Sequence, residues 1–371
     1  MSSVQLIKAN RETILKPLSV VSGIVERRHT LPILANVLIR KQDETVSFIG
    51  TDIEIQIQTQ ASLGGSREDT ATTVSARKLM DILKSLPDNV ETTFSLSNKR
   101  LSIQSGKSRF ALQTLAAEDF PTFSSATQFS ASFSLPQKTL KNLFHMVHFS
   151  MAQQDIRYFL NGLLFVVEGT DVRAVATDGH RLAYSAAVCA QSNEKHEVII
   201  PRKTVLELQR LLNETDDPVQ IDLAANQIRF KFGEIELVSK LVEGKFPDYR
   251  RVIPIDNPRK IILNRDEFSR TLQRVAILTS EKLKGVRFAL DNDSLRISAS
   301  NTEQEEAVEE MDVAYQGDKL EVSFNVSYLL DVLANLKTET IGLEFKDANS
   351  SSLLTLPGDD SFKYVVMPLR I

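Results

Sequence analysis

One cysteine, no tryptophan and no long apolar run set the first limits on this sequence of 371 residues. Cys189 has no partner cysteine in the chain, so no intrachain disulfide forms, and that usage fits a reducing cytoplasm. No stretch of about 18 apolar residues occurs, so nothing is expected to span a membrane. The opening Met1-Ser2-Ser3-Val4-Gln5-Leu6 lacks the basic-then-apolar layout of a secretory signal. A strong charge of either sign is missing too: 44 Lys and Arg face 48 Asp and Glu, a net charge of −4. Bulk electrostatics therefore argue against non-specific nucleic-acid binding unless the two signs are segregated. With 42% apolar and 25% charged residues, the composition is that of a globular protein too long for one ordinary core.

Catalytic signatures are scarce as well. Gly106-Lys107-Ser108 ends like a phosphate-binding loop, but that loop needs glycine where Leu101 stands, and strand-like runs flank it. A hairpin turn is the better reading. Neither GxGxxG nor GxSxG occurs. Of His29, His145, His148, His180 and His196, only His145 and His148 share helical spacing, and no acid or cysteine in that helix completes a metal set. Asp52 and Glu54 read as the watered face of a strand in which Ile53, Ile55 and Ile57 face inward. The sequence therefore points to no catalysis, no metal and no cofactor.

What the chain does contain is itself, three times. Leu34-Ala35-Asn36-Val37-Leu38-Ile39 and the following Val46 to Asp52 match Leu160 to Val166 and Val172 to Asp178. They match again at Lys284 to Leu290 and Leu295 to Asn301. Asp52 to Asp178 is 126 residues and Asp178 to Asn301 is 123. Downstream, Val74-Ser75-Ala76-Arg77-Lys78-Leu79 parallels Ile200 to Val205 and Phe324 to Leu329. There the spacings from Arg77 to Arg202 to Val326 are 125 and 124. Two separate anchors thus give one period, and predict domains at 1–129, 130–257 and 258–371.

Each repeat reads as two halves of one helix plus antiparallel strands, an α+β class. Leu140, Leu143, Phe144 and Val147 recur at helical spacing, while Ser105-Gly106 and Asp178-Gly179 sit where hairpins turn. Helices are predicted over 10–24, 76–86, 136–149, 202–212, 265–278 and 325–337. Those segments hold 14 Lys and Arg against 6 Asp and Glu, a charge of +8 that leaves −12 for the remainder. A positive helical surface inside an acidic body suits phosphates, and with no base-reading motif it suits them without sequence preference.

Thr177-Asp178-Gly179-His180-Arg181-Leu182, Phe246-Pro247-Asp248-Tyr249-Arg250-Arg251-Val252 and Val365-Val366-Met367-Pro368-Leu369-Arg370, set in a triple repeat, closely resemble the bacterial sliding clamps. That family comprises the β subunits of DNA polymerase III, the replicative processivity factors. The likeness covers essentially the whole chain. It implies a DNA clamp fold of three similar domains that assembles head to tail into a homodimeric ring around double-stranded DNA. It also implies partners, namely polymerase subunits and a clamp loader that carry Leu/Phe-containing peptides.

Carried over position by position, the resemblance assigns DNA contact to Arg28, Gln154, Tyr158, Arg202 and Lys203. Arg77, the repeat-one counterpart of Arg202, joins them. It assigns the partner-peptide cleft to Leu160, Thr177, Gly179, His180, Arg181, Leu182, Pro247, Arg251, Val252, Asn325, Tyr328, Val365, Val366, Met367, Pro368, Leu369 and Arg370. In that cleft Arg181, Arg251, His180 and Asn325 are expected to rim an apolar groove. The subunit joint is read from charge and apolarity instead. Glu303, Glu305, Glu306, Glu309 and Glu310 form an acidic run in repeat three, and Ile277 and Leu278 lie nearby. In repeat one, Lys99, Arg100, Lys107 and Arg109 surround a hairpin with Phe110 and Leu112 beside it. Two rivals remain: a repeat-built scaffold that binds proteins only, and an enzyme with its site between domains.

Overall fold

Four of the helices follow a residue whose side chain closes the first turn. The helices are Arg11–Ser22 (α1), Ala76–Ser85 (α2), Gln137–His145 (α3), Arg202–Leu211 (α4), Arg265–Ala276 (α5) and Val326–Asn335 (α6). They belong to a computed structural model that describes residues 3–25, 31–123, 128–280 and 282–370. Asn10, Ser75, Asn264 and Asn325 cap α1, α2, α5 and α6 by accepting the N–H of Glu12, Lys78, Glu267 and Ser327. Pro136 and Pro201 precede α3 and α4. The helix expected over 136–149 stops early, because Val147 N–H turns to Phe144 O and a short 3-10 turn follows at His148–Ser150.

One apolar stripe recurs through the series. Ile14, Leu18 and Val21 of α1 are fully buried, as are Leu140, Phe144 and Val147 in and just after α3, and Phe268, Leu272 and Val275 of α5. A second recurrence ties each helix pair together. The first residue of α1, Arg11, donates to the carbonyls of Leu83 and Leu86 at the end of α2 (3.2 and 3.0 Å). Arg265, first in α5, donates to Leu333 O and Thr338 O at the end of α6 (3.4 and 2.8 Å). Repeat two has Gln137 at that place, and its Oε1 instead accepts the N–H of Asn213 (3.0 Å). Helix C-termini expose carbonyls that want donors and favour cations, so these staples each contribute about 1 kcal/mol.

The chain divides into two compact units, Met1–Gln137 with Arg210–Leu241, and Lys138–Gln209 with Val242–Ile371. The first holds a twelve-stranded antiparallel sheet. Eight of its strands come from residues 4–115 and four from residues 131–240. They meet where Ile55–Ser62 pairs with Ile235–Lys240, Ile55 opposite Ser239 and Thr59 opposite Ile235. The second unit holds a six-stranded sheet in which Arg181–Pro201 pairs with Asp359–Val366, and a four-stranded sheet ending at Glu306–Asp312. Helices pack on these sheets: α1 lies against Thr45–Thr51 and Ile55–Ser62, and α5 against Ser294–Ser300 and Glu306–Asp312. The fold class is α+β, with helices on antiparallel sheet.

Gly106 turns the hairpin between Arg100–Ser105 and Ser108–Leu115 with φ +55°. One local expectation needs correcting. Ile53 is not an inward strand position: it lies in a turn at φ +70°, is 40% exposed, and the strand begins at Ile55. Asp52 is buried rather than watered, because its Oδ1 accepts the N–H of Glu54 and Ile55 (2.9 and 2.8 Å) and closes that turn. Helix charge needs a smaller correction: α6 ends at Asn335, so Lys337 falls outside it and α6 carries only Asp331. The positive bias therefore belongs to five helices.

Candidate functional site

The hairpin at residues 177–182 is built by its own side chains. Thr177 Oγ1 accepts the N–H of Gly179 (3.0 Å) and donates to Arg181 O (2.6 Å). Asp178 Oδ1 accepts the N–H of His180 and Arg181 (2.9 and 3.1 Å). Repeat one makes the same turn with Thr51 and Asp52, at 3.0, 2.8, 2.9 and 2.8 Å. Gly179 has φ +91°, and a Cβ there would come within 3.1 Å of the Arg157 guanidinium, so glycine suits this turn.

The chain end meets that hairpin edge on. Arg181 stands opposite Val366 and Leu182 opposite Val365 in the strand ladder. Met367 N–H then donates to His180 O (3.0 Å) and Leu369 N–H to Ser323 O (2.7 Å). Leu160, Leu182 and Val365 belong to one buried cluster with Leu164, Val175, Ile199, Phe246 and Tyr249. They form a floor rather than a surface, and Val366 is buried too. Outside it, Met367 is 48% and Val252 41% exposed, Pro247 and Arg251 are exposed, and Pro368 and Leu369 are half-buried. The apolar surface is thus narrower than seventeen residues suggest.

The expected rim divides in the same way. Arg251 is exposed, with Nε 3.2 Å from Asp248. Asn325 accepts the Ser327 N–H as the cap of α6. The His180 ring stacks on Tyr328, centroids 6.4 Å apart and planes inclined 17°. Arg181 turns inward, its guanidinium donating to Asp178 (3.1 Å), Asp331 (2.6 Å) and Phe149 O (2.9 Å) and lying 4.6 Å from the Tyr328 ring centre. Nothing in the sequence pattern flagged Asp331 or Phe149, since the first lies 150 positions from Arg181.

The residues assigned to DNA contact are spread over both units, and Arg28 lies outside the described residues. Arg77 is exposed and 3.7 Å from Asp81. Gln154 is exposed at φ +55° and Tyr158 is 61% exposed. Both ride a loop held by Asp155, which accepts from the Arg157 guanidinium (3.0 and 2.9 Å), and by Asn161, which bonds Asp155 twice. Those Arg157 bonds hold the Asp155 carboxyl at about 2. Arg202 is half-buried, donates to His148 O and Met151 O (3.4 and 3.3 Å), and burial lowers its pKa. Lys203 is half-buried. His145 and His148 stack at 5.7 Å, and His148 Nδ1 faces His145 O at 2.9 Å.

Of the residues expected at the subunit joint, Arg109, Phe110 and Leu112 lie on Ser108–Leu115 and Glu306, Glu309 and Glu310 on Glu306–Asp312, with the others on neighbouring elements. Phe110 and Leu112 stand opposite buried Ile103 and Leu101, so they extend the core face toward the edge and stay half-buried. Lys99, Arg100, Lys107 and Arg109 are exposed. Ile277 is 76% exposed and Leu278 half-buried, just past α5. Glu303, Glu305, Glu306 and Glu310 are exposed. Glu309 is engaged within the chain, bonded twice by Arg274 (2.7 and 2.8 Å).

Comparison with known proteins bears on the whole chain. Family models for the N-terminal, central and C-terminal domains of the DNA polymerase III beta subunit match residues 6–124, 134–248 and 250–370. The beta sliding clamp of Proteus mirabilis is 48% identical over 362 residues, covering 97% of this chain and 98% of its own. That of Escherichia coli K12 is 45% identical over 361 residues, with the same coverage. The crystal structure of the DNA polymerase III subunit beta from Pseudomonas aeruginosa superposes with a TM-score of 0.96 at 46% identity, over 98% of this chain and 100% of that one. A Pseudomonas aeruginosa sliding clamp bound to griselimycin gives 0.96 at 46% identity, over 99% and 100%. On full-length identity and superposition alike, the chain belongs to the DNA polymerase III beta subunit family, the bacterial beta sliding clamps.

Proposed function

We propose that this protein is a ring-forming sliding clamp, acting in the cytoplasm, that encircles duplex DNA and tethers polymerases without catalysing a reaction itself. The observation that carries this reading is the clamp likeness over 97% of the chain at 45–48% identity. Its three repeats would act as domains at 1–129, 130–257 and 258–371. Phosphates would meet Arg77, Arg202, Lys203, Gln154, Tyr158 and Arg28 without sequence preference. Polymerase subunits and a clamp loader would dock Leu/Phe-containing peptides between Met367 and Val252. Primer extension by the cognate polymerase on a long template, with a trap for released enzyme, tests the function. Adding loaded protein should lengthen products roughly tenfold or more, since a tether makes rebinding intramolecular. Unchanged product length would leave a protein-binding scaffold as the reading.

Repeat logic supports a head-to-tail homodimer. Ile55–Ser62 in repeat one and Arg181–Pro201 in repeat two each pair with the last strand of the following repeat. The counterpart in repeat three, Glu306–Asp312, pairs only with Ser294–Ser300 among the described residues. Among the described residues, Ser108–Leu115, the last strand of repeat one, pairs on its second side only through Thr114 and Leu115. An acidic edge and a basic edge are therefore left over, and a second copy would satisfy both. Phe110, Leu112, Ile277 and Leu278 would supply apolar contact. Changing Glu303, Glu306 and Glu310 to Lys, sparing Glu309, should weaken the dimer roughly tenfold at low salt. Adding Arg100→Glu and Arg109→Glu should restore part of it. Sedimentation velocity reads both, and an unchanged dimer in the triple variant would refute the joint.

A further inference from the structure

Arg181 occupies the place where repeat one has Ile55, at the same 126-residue spacing that relates Asp52 to Asp178. Ile55 is fully buried, yet its hairpin makes the same four hydrogen bonds as the hairpin of repeat two. The turn therefore does not need an arginine. What the arginine adds lies elsewhere. Its side chain is only 9% exposed. It reaches α6 through Asp331, holds Phe149 O, and covers one face of the Tyr328 ring. Tyr328 in turn lies parallel to His180 at the groove. A guanidinium with Asp178, Asp331 and a carbonyl as partners, and a ring over its plane, has little left to offer a peptide.

We infer that Arg181, acting with Asp331, is a positioning residue of the groove, one that fixes Tyr328 and His180 without touching the bound peptide. This rests on the peptide-binding reading above, and contact and positioning make different predictions. Asp331→Asn keeps the shape and removes the charge at a residue outside the assigned groove. If Arg181 positions, Asp331→Asn and Arg181→Lys should each raise the dissociation constant of a labelled Leu/Phe-containing peptide by roughly fivefold to tenfold. The double variant should bind about as well as Arg181→Lys alone, because both changes break one network. If Arg181 touches peptide, Asp331→Asn should bind like the unmodified protein while Arg181→Lys loses affinity, and the inference is overturned.

A second readout needs no peptide. In 1H–13C spectra the His180 ring protons carry a ring-current shift from Tyr328, which should shrink in Asp331→Asn at matched pH and unchanged melting temperature. Failure of the unmodified protein to bind peptide would remove the groove reading, and the His180 shift would still decide the positioning role. An unaltered shift in Asp331→Asn would overturn it.

Discussion

Circular DNA loaded with this protein should keep it through salt washes that strip a surface binder, and cutting the circle should release it from the free ends. The expectation follows from the electrostatics. A chain of net charge −4 with a positive bias on five helices is expected to bind phosphates modestly and to lose most of that as counterions compete. Threading is not reversed by salt. On nicked circles, retention at about 0.5 M salt should exceed that on linear DNA by roughly a hundredfold, given the decades lost by a binder making several phosphate contacts. Blocking the ends of linear DNA should restore retention. Gel filtration of labelled protein with each DNA form measures all three. Equal retention on open linear and circular DNA would mean that affinity, not topology, holds the complex.

Removing Met367 to Ile371 should abolish peptide binding while leaving the dimer in place. Met367 is an exposed apolar side chain next to the strand that supplies Val365 to the buried floor with Leu160 and Leu182, and Pro368 and Leu369 follow it, half-buried. Losing about 3 kcal/mol of apolar contact corresponds to a roughly hundredfold weaker complex. Methionine and leucine suit a surface that must accept several peptides, since both repack readily. The deletion also removes the Met367 bond to His180 and the Leu369 bond to Ser323, so circular dichroism should confirm the fold. The point variant Met367→Ala keeps both backbone bonds and should still cost roughly tenfold. Fluorescence anisotropy of a labelled peptide reads both variants, and undiminished binding in the deletion would move the partner site elsewhere.

Sequence alone exposed whatever is periodic. The buried stripe Leu140, Phe144 and Val147 was legible from spacing, and so were Gly106 and Asp178-Gly179 as turns, because each depends on residues a few positions apart. Ile53 was misplaced for an equally local reason. Its alternation with Asp52 and Glu54 mimics a strand, and only the Asp52 carboxylate closing on Ile55 shows the turn. The inward turn of Arg181 leaves no local mark, because the partner that draws it, Asp331, sits on another element. The groove assignment came from resemblance, with no separate signal in the residues themselves. The strand pairing of Ile55–Ser62 with Ile235–Lys240 left no trace either, since backbone ladders carry no side-chain code across such separations.

That same pairing separates ancestry from folding. The period copied along the chain is about 125 residues, but the first compact unit takes all of repeat one and closes with a piece of repeat two. A gene trimmed at a repeat junction would release Ile55–Ser62 with its outer row of amides and carbonyls uncovered, an invitation to aggregate. Loss of a later copy would therefore uncover a strand in the copy before it, since repeat two finishes repeat one and repeat three finishes repeat two.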